Sequence, residues 1–297
     1  MATTSTAIHK PPVLSPEALI SAYRTMYLSR KLDDKEIQLK RQNLSFFQIN
    51  GVGHEAIQVA AGMCLKPGCD WIYPYYRDRA LCLQLGITPY EMLLQAVGSK
   101  DDPASAGRQM PSHWSSPSRH IVSLSSPTGS QVLAAVGAAD ASVYFSRVKE
   151  AAELSRSFHA GELAFTSLGE GATSEGEFWE SINWASNAKL PLFYVVEDNG
   201  YAISVTADIQ TAGGSISRLL KNYPNLLTLE CDGTDFVAAY ECCVRAVDHV
   251  RKRRGPALVH AQVVRPYSHS LSDDERLYKP EAIRQQEAKR DPVARCR

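Results

Sequence analysis

The sequence of 297 residues predicts an α/β fold, a mostly parallel sheet with helices on both faces. Three observations carry that expectation. Residues 163–168 (LAFTSL) and 192–196 (LFYVV) are short apolar runs, the pattern of strands buried on both faces. Between them Phe178, Ile182 and Ala185 recur at the spacing of one buried helical face, so the stretch reads as a βαβ unit with a right-handed crossover. Downstream, LLTLE and ALVHAQVV flank a helical stretch and bring the strands to at least four.

The elements follow in order. MATTSTAIHKPP has neither the apolar core of a secretory signal nor the arginines of a transit peptide, and residues 1–14 read as disordered. Ser15-Pro16-Glu17 opens a helix running to about Gln42, with a cap, a proline at the first position and an early acid. Its last part, RKLDDKEIQLKRQ, is charge-rich and predicts a solvated face. GVGHE opens a second helix, AIQVAAGMC, whose small residues permit close packing, and His54 there reads as structural. KPGCD is a turn. In WIYPYYRDR, Tyr76 and Arg77 fall where an extended segment gives way to a helix, and an arginine fork beside a phenol suits phosphate oxygens.

Residues 101–131 carry Gly, Pro and Ser throughout and predict a long loop, with His113 and His120 in no more than a positioning role. The hydroxyl-rich SSPTGSQ at its end suits a helix cap or an ion. QVLAAVGAADA predicts a deeply buried helix, RVKEAAELSRSFHAG a surface segment, and DGTD caps a helix through Arg251. With no internal repeat or linker, residues 15–297 read as one domain.

Both polar clusters of the βαβ unit fall at the carboxyl ends of its strands, where open α/β sheets bind ligands, so Glu170 and Asn199 should face each other. Gly169 and Gly171 allow close backbone approach, and a capping box of Ser174 with Glu177 aims a helix start at the same place. A diphosphate with magnesium fits, held by Glu170, Asn199 and the carbonyl of Tyr201. Taken separately, Gly-Glu-Gly is also an ordinary turn and Asn199-Gly200 a good hairpin signal. His269, in the polar loop RPYSHSLSDDERLYK, offers a neutral imidazole that can hydrogen-bond a diphosphate or move a proton.

Composition narrows the function classes. Lys plus Arg and Asp plus Glu stand at 32 each, so no global field recruits nucleic acid or an anionic membrane. No apolar run reaches membrane-spanning length. Seven cysteines without a CxxC pair argue for reduced thiols in the cytoplasm and against a zinc site.

GEG, a gap of 26 residues, then DNGYAIS resembles the thiamine diphosphate motif. From roughly Tyr23 onward the chain resembles the alpha subunit of the decarboxylating component of branched-chain 2-oxoacid dehydrogenase complexes (2-oxoisovalerate dehydrogenase). PYYRDRA, GRQMPSH, SSPTGSQ with AVGAA, GEGATSEG, DNGYAIS, DGTD and SHSLSDD carry the likeness in family order. It implies a thiamine diphosphate-binding fold and oxidative decarboxylation of branched-chain 2-oxoacids with acyl transfer to a lipoyl group. Tyr76, Arg77, Ser126, Gly171, Ala172 and His269 would contact the cofactor; Glu170, Asn199 and Tyr201 would hold magnesium; Ser125, Pro127, Ser130 and Gln131 resemble a potassium loop. The resemblance also implies a beta-type subunit or fused beta domain in an alpha2beta2 assembly, a lipoyl-bearing acyltransferase component, and no activity for this chain alone.

Three departures accompany the likeness. Glu197 stands where the family places an arginine against the diphosphate and Asp198 where it places an asparagine, so two acids should oppose the anion unless Arg77 or a lysine compensates. RVKEAAELSRSFHAG is longer than the family's segment, and DPVARCR ends before full alpha subunits do, as in a fragment or one part of a fused chain. Two other functions stay open, a pyruvate or acetoin dehydrogenase alpha-type subunit and a non-catalytic pseudo-subunit that Glu197 motivates.

Overall fold

A computed structural model describes residues 14–297; the expected disorder of the N-terminus lies, for residues 1–13, outside the described residues. Helix α1 (Pro16–Arg41) begins as its sequence dictates, with the Ser15 hydroxyl accepting from the Ala18 N–H at 3.2 Å and Pro16 in the first turn. Helix α2 (Glu55–Cys64), strand β1 (Trp71–Tyr73), α3 (Arg79–Gln84) and α4 (Pro89–Ala96) follow. Next comes the predicted loop, broken by a 3-10 turn at Pro117–Arg119, then α5 (Gln131–Arg147) and α6 (Lys149–Leu154). The βαβ unit is β2 (Ala164–Gly169), a 3-10 turn at Glu170–Ser174, α7 (Gly176–Ala188) and β3 (Leu192–Asp198). After it come the short hairpin strands β4 (Tyr201–Ala202) and β5 (Val205–Thr206), then α8 (Ala207–Gln210) and α9 (Ile216–Leu220). The chain continues through β6 (Leu227–Asp232), α10 (Phe236–Arg251), β7 (Ala257–Gln262), α11 (Glu281–Lys289) and α12 (Pro292–Arg295).

Five parallel strands pair in the order β1-β2-β3-β7-β6. The chain steps one way across the sheet from β1 to β3 and the opposite way from β6 to β7. Right-handed crossovers run in opposite directions must put their helices on opposite faces, and α7 and α10 do lie on opposite faces. Alternate side chains of each strand feed the two cores. Phe165, Phe193, Val195 and Val259 pack toward α2 and α10, while Leu168, Tyr194, Val196 and Leu258 pack toward α5 and α7. The reversal of strand order between β3 and β7 opens a crevice at the strands' carboxyl ends.

Three expectations need correction. The Ser174–Glu177 capping box does not form: Ser174 closes the 3-10 turn, and α7 starts at Gly176 with no side-chain cap. The charge-rich end of α1 is not a plain solvated face, because Asp33 and Glu36 are buried against Arg79 at 3.0 and 2.5 Å. Helix α5 is buried on one side only. Val132, Ala135, Val136 and Ala139 enter the core, but Leu133 and Tyr144 are exposed.

Candidate active site

A cavity of about 380 Å³ lies at the tips of β2 and β3. It is bounded by the 3-10 turn after β2, the loop before α5, the Tyr76-Arg77 turn and the loop after β7. Tyr76, Arg77, Ser125, Ser126, Pro127, Gln131, Gly169, Glu170, Gly171, Ala172, Asn199, Tyr201 and His269 line it. Of the residues predicted for a site, Ser130 does not line it, but its hydroxyl is buried without a partner. Ser130 therefore makes no side-chain cap for α5. His120 lies elsewhere, its ring stacked on Trp71 at 4.5 Å.

The metal-type donors converge. Asn199 gives its main-chain N–H to Glu170 Oε2 at 3.3 Å, while Glu170 Oε1 and Asn199 Oδ1 are both buried without any hydrogen-bond partner. An orphaned buried acceptor carries a penalty of about 1–3 kcal/mol, and here two occur on residues at neighbouring strand tips. Burial first, then the charge of Asp198, pushes the Glu170 carboxyl up to about 7. Among the described residues no group of three or more His, Cys, Asp or Glu forms a metal cluster. A cation here would depend on one carboxylate, one amide, main-chain oxygen and the oxygens of a ligand, the donor set of magnesium.

The backbone leaves room for such a ligand. A Cβ at Gly171 would stand 2.9 Å from the Ala202 Cβ, so only glycine lets the turn after β2 close against the β4 hairpin. Asn199-Gly200 itself makes no hairpin with β3; it leads from β3 into β4, which pairs with β5.

Arg77 and His269 form the opposite wall. Arg77 is buried and donates to the Asn50 carbonyl at 2.7 Å, to the His269 carbonyl at 3.2 Å and to His269 Nδ1 at 2.9 Å. Because His269 Nδ1 accepts, its one proton sits on Nε2. Burial, then Arg77 and Arg265, lowers this imidazole to about 3. His269 thus presents a neutral ring whose Nε2–H is free of the bond to Arg77, beside the cavity that it lines. His113 hydrogen-bonds the Ser126 hydroxyl at 2.8 Å and lines the cavity, in keeping with a positioning role. Gln131 donates its amide to the Ser167 carbonyl at 2.9 Å.

The two acids expected to oppose an anion do not face it. Glu197 turns to the α2 side of the sheet, where its Oε2 accepts from Gln58 at 2.9 Å and from the Tyr75 hydroxyl at 3.0 Å and its carboxyl meets that of Asp78. Burial, then the neighbouring Asp78 charge, holds it well above the usual carboxylate range, and Asp78 Oδ1 is buried without a hydrogen-bond partner beside it. Ser167 and the Tyr75 main-chain N–H bond the other Asp78 oxygen. Asp198 turns to the opposite face, taking His260 Nε2 at 2.7 Å and the Gly200 N–H at 2.8 Å. Alternation along β3 decides this, since successive side chains of a strand point to opposite faces.

Sequence reasoning gave no role to three residues of this region and read a fourth, His54, as structural. Gln58 and Tyr75 build the network under the cavity, Gln210 donates to the Glu170 carbonyl at 2.9 Å, and His54 touches Asn199 at 3.2 Å. A glutamine inside the otherwise apolar α2 was the available signal for the first; the rest are brought in by tertiary packing.

The sequence matches the family described as "Dehydrogenase E1 component" over residues 23–297. It is 34% identical over 289 residues to the 2-oxoisovalerate dehydrogenase subunit alpha of Bacillus subtilis, covering 97% of this chain and 83% of that protein. It is 32% identical to the 3-methyl-2-oxobutanoate dehydrogenase subunit alpha of Mycobacterium tuberculosis, covering 96% and 71%. A transketolase from Campylobacter jejuni superposes with a TM-score of 0.58 at 18% identity, over 84% of this chain and 38% of that one, which is a likeness of fold.

Proposed function

The chain belongs to the dehydrogenase E1 component family, and on that premise we propose that it is the alpha-type part of a 2-oxoacid dehydrogenase acting on branched-chain 2-oxoacids. Its two relatives carry two names for one substrate, since 2-oxoisovalerate is 3-methyl-2-oxobutanoate, which supports the branched-chain reading over pyruvate or acetoin. The family implies thiamine diphosphate, which when bound supplies the electron sink that decarboxylation of a 2-oxoacid requires. Residues 15–297 act in this reading as one domain.

Glu170, Asn199 and the main-chain carbonyl of Tyr201 would hold magnesium. Tyr76, Arg77, Ser126, Gly169, Gly171, Ala172 and His269 would hold the cofactor, with His269 donating through Nε2. Ser125, Pro127, Ser130 and Gln131 would hold potassium, a role that the unpartnered Ser130 hydroxyl supports. The observation that carries the reading is the pair of buried, partnerless oxygens, Glu170 Oε1 and Asn199 Oδ1, at adjacent strand tips. The pseudo-subunit alternative loses its motive, because Glu197 faces away from the cavity.

The partners are a beta-type subunit or fused beta domain, as in an alpha2beta2 assembly, and a lipoyl-bearing acyltransferase. The test is co-expression with a beta-type chain and assay of 3-methyl-2-oxobutanoate, pyruvate and acetoin with an artificial electron acceptor. The expected result is turnover of the branched substrate that needs thiamine diphosphate, magnesium and both chains. Preference for pyruvate or acetoin overturns the substrate; turnover by the isolated chain overturns the division of labour.

A further inference from the structure

Asn199 is useful to a cation only if its amide oxygen, and not its NH2, faces Glu170. The structure holds the residue that decides this. Asn199 Nδ2 lies 3.2 Å from His54 Nε2, and His54 Nδ1 lies 3.2 Å from the Val52 carbonyl oxygen. A carbonyl oxygen only accepts, so Nδ1 bears the proton and Nε2 of the neutral ring presents a lone pair. The group opposite that lone pair must be a donor. Reversing the amide would set oxygen against the lone pair and turn N–H groups toward the cation.

The ring is held as firmly as the role requires. His54 is fully buried, with its main-chain N–H on the Gly51 carbonyl at 3.0 Å. Gly53 takes φ +91, and a Cβ there would stand 2.0 Å from the Val264 carbonyl oxygen, so the loop is pressed against the end of β7 as only glycine allows. The Gly53 N–H donates to Glu55 at 2.7 Å, and Glu55 is tied through Arg30, at 2.8 Å, to Asp291 at 2.7 Å. Helix α1 and the C-terminal α12 thus steady a loop that packs behind the metal-type donors.

We infer that His54 is a positioning residue: it fixes the amide of Asn199 with its oxygen toward Glu170 and so sets the affinity of the site for a divalent cation. This rests on Asn199 being a metal ligand, as proposed above. Outer partners of metal ligands are commonly worth about 10–100-fold in metal affinity.

The test measures manganese binding by electron paramagnetic resonance, in the complex with a beta-type chain and thiamine diphosphate. His54→Leu is expected to weaken binding about 10–100-fold. His54→Gln, whose amide can still accept from Asn199, is expected to stay within about threefold of the parent. The background Asn199→Asp separates positioning from folding, because a carboxylate presents oxygen in either orientation. There His54→Leu should cost little. If His54→Leu does not fold, His54→Met carries the same comparison. Equal manganese affinity with and without His54, or equal losses in the parent and in the Asn199→Asp background, overturns the inference and leaves the proposed site standing. Absence of cofactor-dependent manganese binding in the unaltered complex removes the site itself, and this inference with it.

Discussion

Glu170 and Glu197 are buried carboxyls at the tips of adjacent strands, and Gly169 and Glu197 are direct register partners. Around Glu197 the hydrogen bonds are made within the protein: Gln58 and Tyr75 both donate to Oε2, and the carboxyl lies against that of Asp78. Around Glu170 it stops short, leaving Oε1 bare beside the equally bare Asn199 Oδ1. The difference separates a floor, whose polar groups are bonded within the protein, from a mouth, where two buried acceptors are left without a partner.

The comparison can be broken most severely at the floor. Glu197→Leu leaves the buried Tyr75 hydroxyl without a partner, takes from Gln58 one of its two acceptors and strips Asp78 of the neighbouring carboxyl, and should destabilise the chain by about 3–5 kcal/mol, read from denaturant unfolding. A loss under about 1 kcal/mol would mean that the network is not the closed unit described. At the mouth the opposite holds. Glu170→Gln should cost at least about a hundredfold in magnesium-dependent cofactor binding by calorimetry, yet leave ligand-free stability unchanged or about 1 kcal/mol higher, since a desolvated acid is replaced by a neutral amide.

A finer test uses pH. Glu197 has a folded-state pKa raised above its unfolded value, so its contribution to stability is full below the unfolded pKa and is lost as pH rises toward the folded one. Glu197→Gln keeps an acceptor for Gln58 and Tyr75, gives Asp78 an N–H, and has no proton to lose. The variant should be about 1–2 kcal/mol more stable than the parent at pH 8, the gap closing toward pH 4. A gap that widens on acidification would reverse the sign and the assignment. The smallest effect is expected for Tyr75→Phe, about 1 kcal/mol for one lost donor, measured as a shift in thermal midpoint.

The same division governs what the sequence reveals. The strands of the βαβ unit, the capped start of α1, the DGTD cap of α10 and the convergence of Glu170 with Asn199 are local or periodic signals, and all are legible before folding. The direction of Glu197 was not, although strand alternation contained it, because a motif read along one line treats EDN as three neighbours on one surface. The false capping box at Ser174 has a related cause. Spacing cannot distinguish a 3-10 turn followed by a helix from a helix begun two residues earlier. Asp33 and Glu36 looked solvated since their partner, Arg79, arrives from a distant segment. His54 read as structural alone for the same reason: its contact with Asn199 spans 145 positions.

The most direct measurement is a calorimetric titration of thiamine diphosphate into the complex with a beta-type chain, once with magnesium and once with a chelator. The account predicts binding with magnesium and its loss, by at least about a hundredfold in affinity, under chelation. Equal affinity in both conditions would show that the bare oxygens of Glu170 and Asn199 hold no cation, and would contradict it.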